Sequence, residues 1–181
     1  MEKIETTLKD CYIFKPKIIN DSRGYFFESY NAQSFRQLIG REINFVQDNQ
    51  SSSSYGVVRG LHFQKGEHAQ AKLVRVLEGV VLDVAVDLRK DSPTFGKYFS
   101  VLLSGENFLQ FFIPRGFAHG FSVLSPIAIF TYKCDNFYNK ASEVGFRYND
   151  SLVNIDWKIP ADKVLLSEKD TQLPYLEDLE L

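Results

Sequence analysis

Between residues 72 and 133 the chain alternates short runs rich in Val, Leu, Ile and Phe with turn signals, leaving almost no room for helix. The expected strands are 72–78 and 80–88, split at Glu78-Gly79 as a hairpin, then 98–103, 108–113, 117–124 and 127–133. Ser104-Gly105-Glu106-Asn107, Pro114-Arg115-Gly116 and Ser125-Pro126 punctuate them. Short strands at such spacing imply an antiparallel all-β fold, a sandwich or barrel, for which a jelly roll is the natural arrangement. A small barrel of this kind can hold one ligand in its mouth.

The rest of the chain fits the same class. Its 16 Phe, 9 Tyr and 1 Trp suit pleated, half-buried surfaces. A few short helical pieces are expected. Asn31 can cap a helix whose Phe35, Leu38 and Ile39 share a face before Gly40 stops it, and Pro160-Ala-Asp-Lys163 can form a single turn. Ser51–Ser54 reads as a polar turn, too short to divide domains, so residues 1–181 are expected to form one domain. A net charge of -2 lacks the basic excess of a generic nucleic-acid surface. Cys11 and Cys134 make neither a disulfide framework nor a zinc cluster, which suits a reducing cytoplasm. The first ten residues carry no apolar leader, and no run approaches the roughly 18 apolar residues of a membrane span.

Function must come from polar side chains set among apolar strands. His62, in Arg59-Gly-Leu-His-Phe-Gln64, and His119, in Ile113-Pro-Arg-Gly-Phe-Ala-His-Gly-Phe121, are such residues, though a hydrogen-bonded core histidine would look the same. His68 reads as a solvated loop residue. No HxH pair occurs and no Glu follows at strand spacing, which argues against a metal site and leaves acid–base chemistry. Lys72 alternates with Val74 and Val76, and Tyr132 with Ala128 and Phe130; each is either a functional group facing inward or an ordinary strand residue. Gln47 and Asn49 share one strand face, suited to a base or sugar edge or to a plain polar surface. Arg23, Arg59 and Lys169 are isolated cations, and Asp170 alone reads as a turn residue. Neither GxGxxG nor GxxxxGK[ST] nor GxSxG is present.

Taken together, Asp21-Ser-Arg-Gly-Tyr-Phe-Phe-Glu28, Gln47-Asp-Asn49, Val58-Arg-Gly-Leu-His-Phe-Gln64, Lys72-Leu-Val-Arg-Val-Leu-Glu-Gly79, Ile113-Pro-Arg-Gly-Phe-Ala-His-Gly120, Tyr132-Lys-Cys134 and Ser167-Glu-Lys-Asp170 resemble the dTDP-4-dehydrorhamnose 3,5-epimerase family. The resemblance spans essentially the whole chain. It implies a cupin-like jelly roll, a homodimer, no metal or organic cofactor, and a 4-keto-6-deoxyhexose carried on dTDP. By match of position, His62 is implied as general base, Asp170 as its carboxylate partner, Tyr132 as general acid and Lys72 as the residue beside the C4 oxygen. Arg23, Glu28, Gln47, Asn49, Arg59, His119, Glu143 and Lys169 match substrate-contacting positions, and Tyr138 matches an aromatic stacked on thymine. An N-terminal strand supplied across the dimer would carry Arg23 and Glu28 into the neighbour's pocket.

The implied chemistry is coherent. A C4 ketone acidifies C3–H and C5–H, His is the base for neutral pH, and a cation must meet the enolate oxygen. Arginines suit the pyrophosphate. One feature jars: Arg59 and His62 have opposite strand parity, which either a bulge at Gly60 or a place for Arg59 at the strand start would reconcile. Three rivals remain: an epimerase acting at C3 alone or a keto-isomerase, a metal-dependent cupin oxygenase, and a binding module without turnover.

Overall fold

The computed structural model of the chain describes residues 1–180. Its strands are β1 (Glu2–Glu5), β2 (Tyr12–Lys15), β3 (Ile19–Asp21), β4 (Gly24–Phe26), β5 (Gln47–Ser54), β6 (Val58–Gln64), β7 (Lys72–Glu78), β8 (Val80–Asp87), β9 (Tyr98–Ser104), β10 (Gln110–Ile113), β11 (Phe117–Val123), β12 (Ile127–Cys134) and β13 (Glu143–Gly145). Two short helices, α1 (Ala32–Ile39) and α2 (Glu168–Thr171), and isolated 3-10 turns complete it. The order β1-β2-β10-β7-β12-β5 forms one sheet and β13-β6-β11-β8-β9 the other, while β3 and β4 pair alone. Every pairing between strands is antiparallel. From β5 to β13 the chain crosses between the two large sheets at almost every connection, as in the expected jelly roll.

That crossing overturns the hairpin expected at Glu78-Gly79. β7 pairs with β10 and β12, whereas β8 pairs with β11 and β9. Gly79 is the corner where the chain leaves one sheet for the other: its φ is +79°, and a Cβ there would collide with the Ile127 carbonyl. Local pattern could not separate the two outcomes, because both strands send alternate side chains into one core. The serine run is likewise not a turn. It continues β5, an edge strand pairing only with β12, whose alternate residues 47, 49, 51 and 53 are the less exposed ones. Strand 108–113 begins only at Gln110, since Phe108 sits at φ 55° in the preceding turn.

Val74, Val76, Phe111 and Phe130 from one sheet meet Val81, Ala85, Leu103 and Phe121 from the other in the central core. Phe121 and Phe130 stack across it with ring centroids 4.3 Å apart. β8 is covered on both faces: Val81 and Ala85 enter this core, while Leu82, Val84 and Val86 pack beneath Phe146, Val153 and Trp157. That explains its nearly unbroken apolar run. On the outer face of the first sheet, α1 seats Phe35 among Phe14, Leu73 and Phe112. The helix has the expected ends: the Asn31 side chain accepts from Ser34 N–H at 3.1 Å, and Gly40, at φ 78°, donates to the Arg36 carbonyl.

Phe35 contacts Phe14, Tyr30, Phe45 and Phe112 as ring pairs at 5.2–5.7 Å. Truncating it leaves a cavity that several fixed rings cannot close. Phe35→Ala is expected to lower unfolding free energy by about 3–5 kcal/mol in urea titrations.

Candidate active site

Toward one end the space between the sheets is left open, as a cavity of about 620 Å³. Asn49 of β5, Lys72 of β7 and Tyr132 of β12 line it from the first sheet; Arg59 and His62 of β6 and His119 of β11 line it from the second. Leu165–Asp170 closes its side, held by a parallel bridge between Val57 and Leu165. The stacked Phe121–Phe130 pair separates it from the core.

Of the two ways to reconcile the parity of Arg59 and His62, the structure shows the bulge. His119 lies opposite His62 and Phe121 opposite Arg59, so β6 carries one extra residue between these pairs. Gly60 makes this possible: its φ is +111°, and a Cβ would stand 2.6 Å from the His119 carbonyl oxygen and 2.7 Å from Gly120 Cα. Both Arg59 and His62 thereby reach the cavity.

His62 Nε2 and Asp170 Oδ1 are 2.6 Å apart. Asp170 is not a solvated turn residue; it is buried in the first turn of α2, where its N–H donates to the Ser167 hydroxyl at 3.1 Å. Burial alone would raise its carboxyl above the ordinary range. The hydrogen bond and charge of His62, helped by Ser167 and the Gly60 backbone, outweigh this and hold it lower. An ionised Asp170 requires Nε2 to carry the proton, leaving Nδ1 of a neutral His62 as the free lone pair.

A second buried dyad stands beside the first, through the His62–His119 register pair. His119 Nε2 lies 3.1 and 3.0 Å from the two Asp83 oxygens. Burial lowers the His119 pKa against the pull of Asp83, and raises that of Asp83 against the pull of His119 and Lys72. Sequence reasoning missed Asp83. Its signal was a carboxylate at the centre of Val80-Val-Leu-Asp-Val-Ala-Val-Asp87, in phase with the inward Val81 and Ala85.

Lys72 forms no ion pair among the described residues; burial pushes its ammonium pKa down, and its Nζ lies 5.8 Å from the Tyr132 ring centroid. Burial pushes the Tyr132 phenol up, so it is protonated at neutral pH. Cys134, across the strand pair from Lys72, is pushed by burial to about 11. Arg59 also lacks a carboxylate partner among the described residues and donates from Nε to Ser53 Oγ at 3.2 Å.

The remaining sequence candidates divide. Gln47 donates to the Asn49 carboxamide at 3.0 Å. Lys169 lines the cavity and donates to Glu143 at 2.5 Å, and the Tyr138 hydroxyl donates to the same oxygen at 2.7 Å. Burial would raise Glu143, but these bonds and the nearby charges lower it on balance. Arg23 and Glu28 are not in the same chain's cavity lining: Arg23 pairs with Asp21 at 2.6 Å in the β3–β4 hairpin, and Glu28 accepts from Asn31 at 3.0 Å. No group of three or more His, Cys, Asp or Glu side chains that could hold a metal ion occurs among the described residues.

Residues 5–178 match the sequence profile of the family described as dTDP-4-dehydrorhamnose 3,5-epimerase. The enzyme of that name from Salmonella typhimurium is 52% identical, over 96% of this chain and 94% of its own. A crystal structure of the Elizabethkingia anophelis enzyme superposes with a TM-score of 0.95 at 61% identity, covering 98% of this chain and 97% of the other. A dTDP-6-deoxy-D-glucose-3,5-epimerase from Legionella pneumophila, solved with dTDP-4-keto-L-rhamnose, gives 0.95 at 48% identity over 99% and 94%.

The depressed Asp170 pKa has a definite sign for stability. The stabilisation is present above the carboxyl's unfolded pKa and is lost as pH falls through the lower folded one. The stability advantage of the wild type over Asp170→Asn is therefore expected to shrink as pH drops from about 5 to about 3, in urea titrations at constant ionic strength.

Proposed function

The chain belongs to the dTDP-4-dehydrorhamnose 3,5-epimerase family, and on that premise we propose the route by which its own residues act. The reaction converts dTDP-4-dehydro-6-deoxy-D-glucose to dTDP-4-dehydro-L-rhamnose, inverting C3 and C5 in dTDP-rhamnose biosynthesis. In this reading His62 Nδ1 removes a proton from carbon beside the ketone. Asp170 keeps the proton on Nε2, orients the ring and stabilises the imidazolium that forms. Lys72 meets the developing C4 enolate oxygen, a preorganised contact worth roughly 3–4 kcal/mol. The Tyr132 hydroxyl then gives a proton to the other face of the same carbon, and solvent restores the phenol and the neutral imidazole after each inversion, before the second carbon is presented to the pair.

The observation that carries this reading is that His62 and Tyr132 line one cavity from opposing sheets. A hexose between them presents one face to the base and the other to the acid, the requirement for inversion. Arg59 and His119 would take the pyrophosphate, Asn49 and Gln47 the sugar and nucleoside edges, and Tyr138, with Glu143 and Lys169 at its tip, the thymine face.

We further propose a homodimer in which the β3–β4 hairpin delivers Arg23 and Glu28 to the partner's cavity. The hairpin's Ile19, Tyr25 and Phe26 are 54%, 59% and 68% exposed, an apolar surface suited to a second copy. No helix among the described residues is long and apolar enough to cross a membrane; the two free thiols suit the cytoplasm, which we propose as the site of action.

In deuterated water the wild type is expected to exchange both C3–H and C5–H and to yield the L-rhamno product, read by NMR. Exchange at C3 alone would instead identify a mono-epimerase. His62→Ala is expected to lose about 10³-fold in kcat while still binding dTDP, and Tyr132→Phe to retain exchange but lose inversion. Arg23→Ala and His62→Ala protomers, mixed and reassembled, test the hairpin. Delivery across the dimer leaves one intact site in each mixed dimer and restores roughly a quarter of wild-type activity, whereas delivery within one chain restores none.

A further inference from the structure

Tyr138 is 54% exposed, yet the backbone around it is held firmly. The reason is Gln64, the last residue of β6, which is 6% exposed. Its Nε2 donates to the carbonyls of His68 at 2.6 Å and Phe137 at 3.1 Å, and its Oε1 accepts the Asn139 N–H at 2.7 Å. One buried amide thus grips the chain on both sides of Tyr138. Other amides extend the grip: Gln70 donates to the Asn136 carbonyl at 2.8 Å and Asn136 to the Glu67 carbonyl at 2.8 Å. Asn139 Nδ2 lies 3.2 Å from His68 Nε2, so His68 is a partly covered strut rather than a free loop residue. Gln47 accepts the Tyr138 N–H itself at 3.0 Å.

This segment has no strand or helix of its own to order it. Fixing free backbone costs conformational entropy, and a loop ordered only on binding would subtract that cost from affinity. Spending a fully bonded buried amide on a segment that keeps its aromatic ring in solvent makes sense if the ring must be in place beforehand. We propose that Gln64 is a positioning residue for nucleotide recognition: by clamping residues 136–139 it presents the Tyr138 ring, already oriented, to the flat face of a nucleobase. This rests on the reading of Tyr138 as the thymine-stacking residue. Gln64 touches neither sugar nor reacting carbon in this scheme, so its contribution belongs to binding and not to proton transfer.

Gln64→Met keeps the side-chain volume and removes all three bonds. Expected results are a Kd for dTDP, by calorimetry, weakened about tenfold, a KM raised in parallel, and a kcat within about twofold of wild type. In a Tyr138→Ala background the same substitution is expected to add no more than about twofold, because the route through the ring is already gone. Unchanged dTDP affinity, a fall in kcat at constant KM, or a full tenfold loss persisting in the Tyr138→Ala background overturns the proposal. Tyr138→Ala binding dTDP as tightly as wild type defeats the stacking reading separately. If Gln64→Met does not fold, Gln70→Ala, which cuts one bond to the same segment, carries the test: dTDP affinity about threefold weaker, with that loss absent beside Tyr138→Ala.

Discussion

The cost of holding charge away from water governs this molecule. Taking an ionised group out of water is costly, and a partner of opposite charge offsets the cost. Asp83 faces His119, Asp170 faces His62, Glu143 faces Lys169, and Asp87, held at about 2, faces Arg89. Each of these carboxylates is thus spoken for by a nitrogen. Lys72 and Arg59 are the cations that line the cavity without a carboxylate of their own among the described residues. In a chain whose net charge is -2, that local imbalance is what an anionic, enolate-forming substrate would complete.

The two-sheet architecture supplies the second requirement. Inward parity on β6 and on β12 brings an imidazole and a phenol to opposite walls of one space. Neither strand could do this alone, because side chains from a single strand reach a ligand from one side only. The bulge at Gly60 belongs to the same logic. Without the extra residue, Arg59 or His62 would turn outward, and the two would not share the cavity.

Most of this was legible in the sequence, for identifiable reasons. The strands of the central run and the α1 helix were readable because their signals, alternation and caps, act within a few residues. The corner at Gly79 was not, since whether two adjacent strands pair or part is decided by partners thirty or more residues away, such as Phe111 opposite Val74 and His119 opposite Ala85. The serines of β5 read as a turn by composition, yet they continue an edge strand whose Ser51 lines the cavity. Asp170 was bland locally because its meaning lies in a contact 108 residues distant. Asp83 was legible and overlooked: a carboxylate amid six apolar neighbours cannot stay there unpaired.

Cys134 shows how finely the Lys72 charge is left available. The strand register puts the thiol across from Lys72, where a carboxylate would have formed an ion pair. With its pKa pushed to about 11, the thiol remains neutral at physiological pH and instead accepts a weak bond from Asn49 Nδ2 at 3.7 Å. Binding a substrate ketone therefore breaks no salt bridge to Lys72. In the proposed route the full attraction between the Lys72 ammonium and the enolate develops only as the C–H bond breaks, which is the condition under which a contact lowers the barrier rather than merely tightening the ground state.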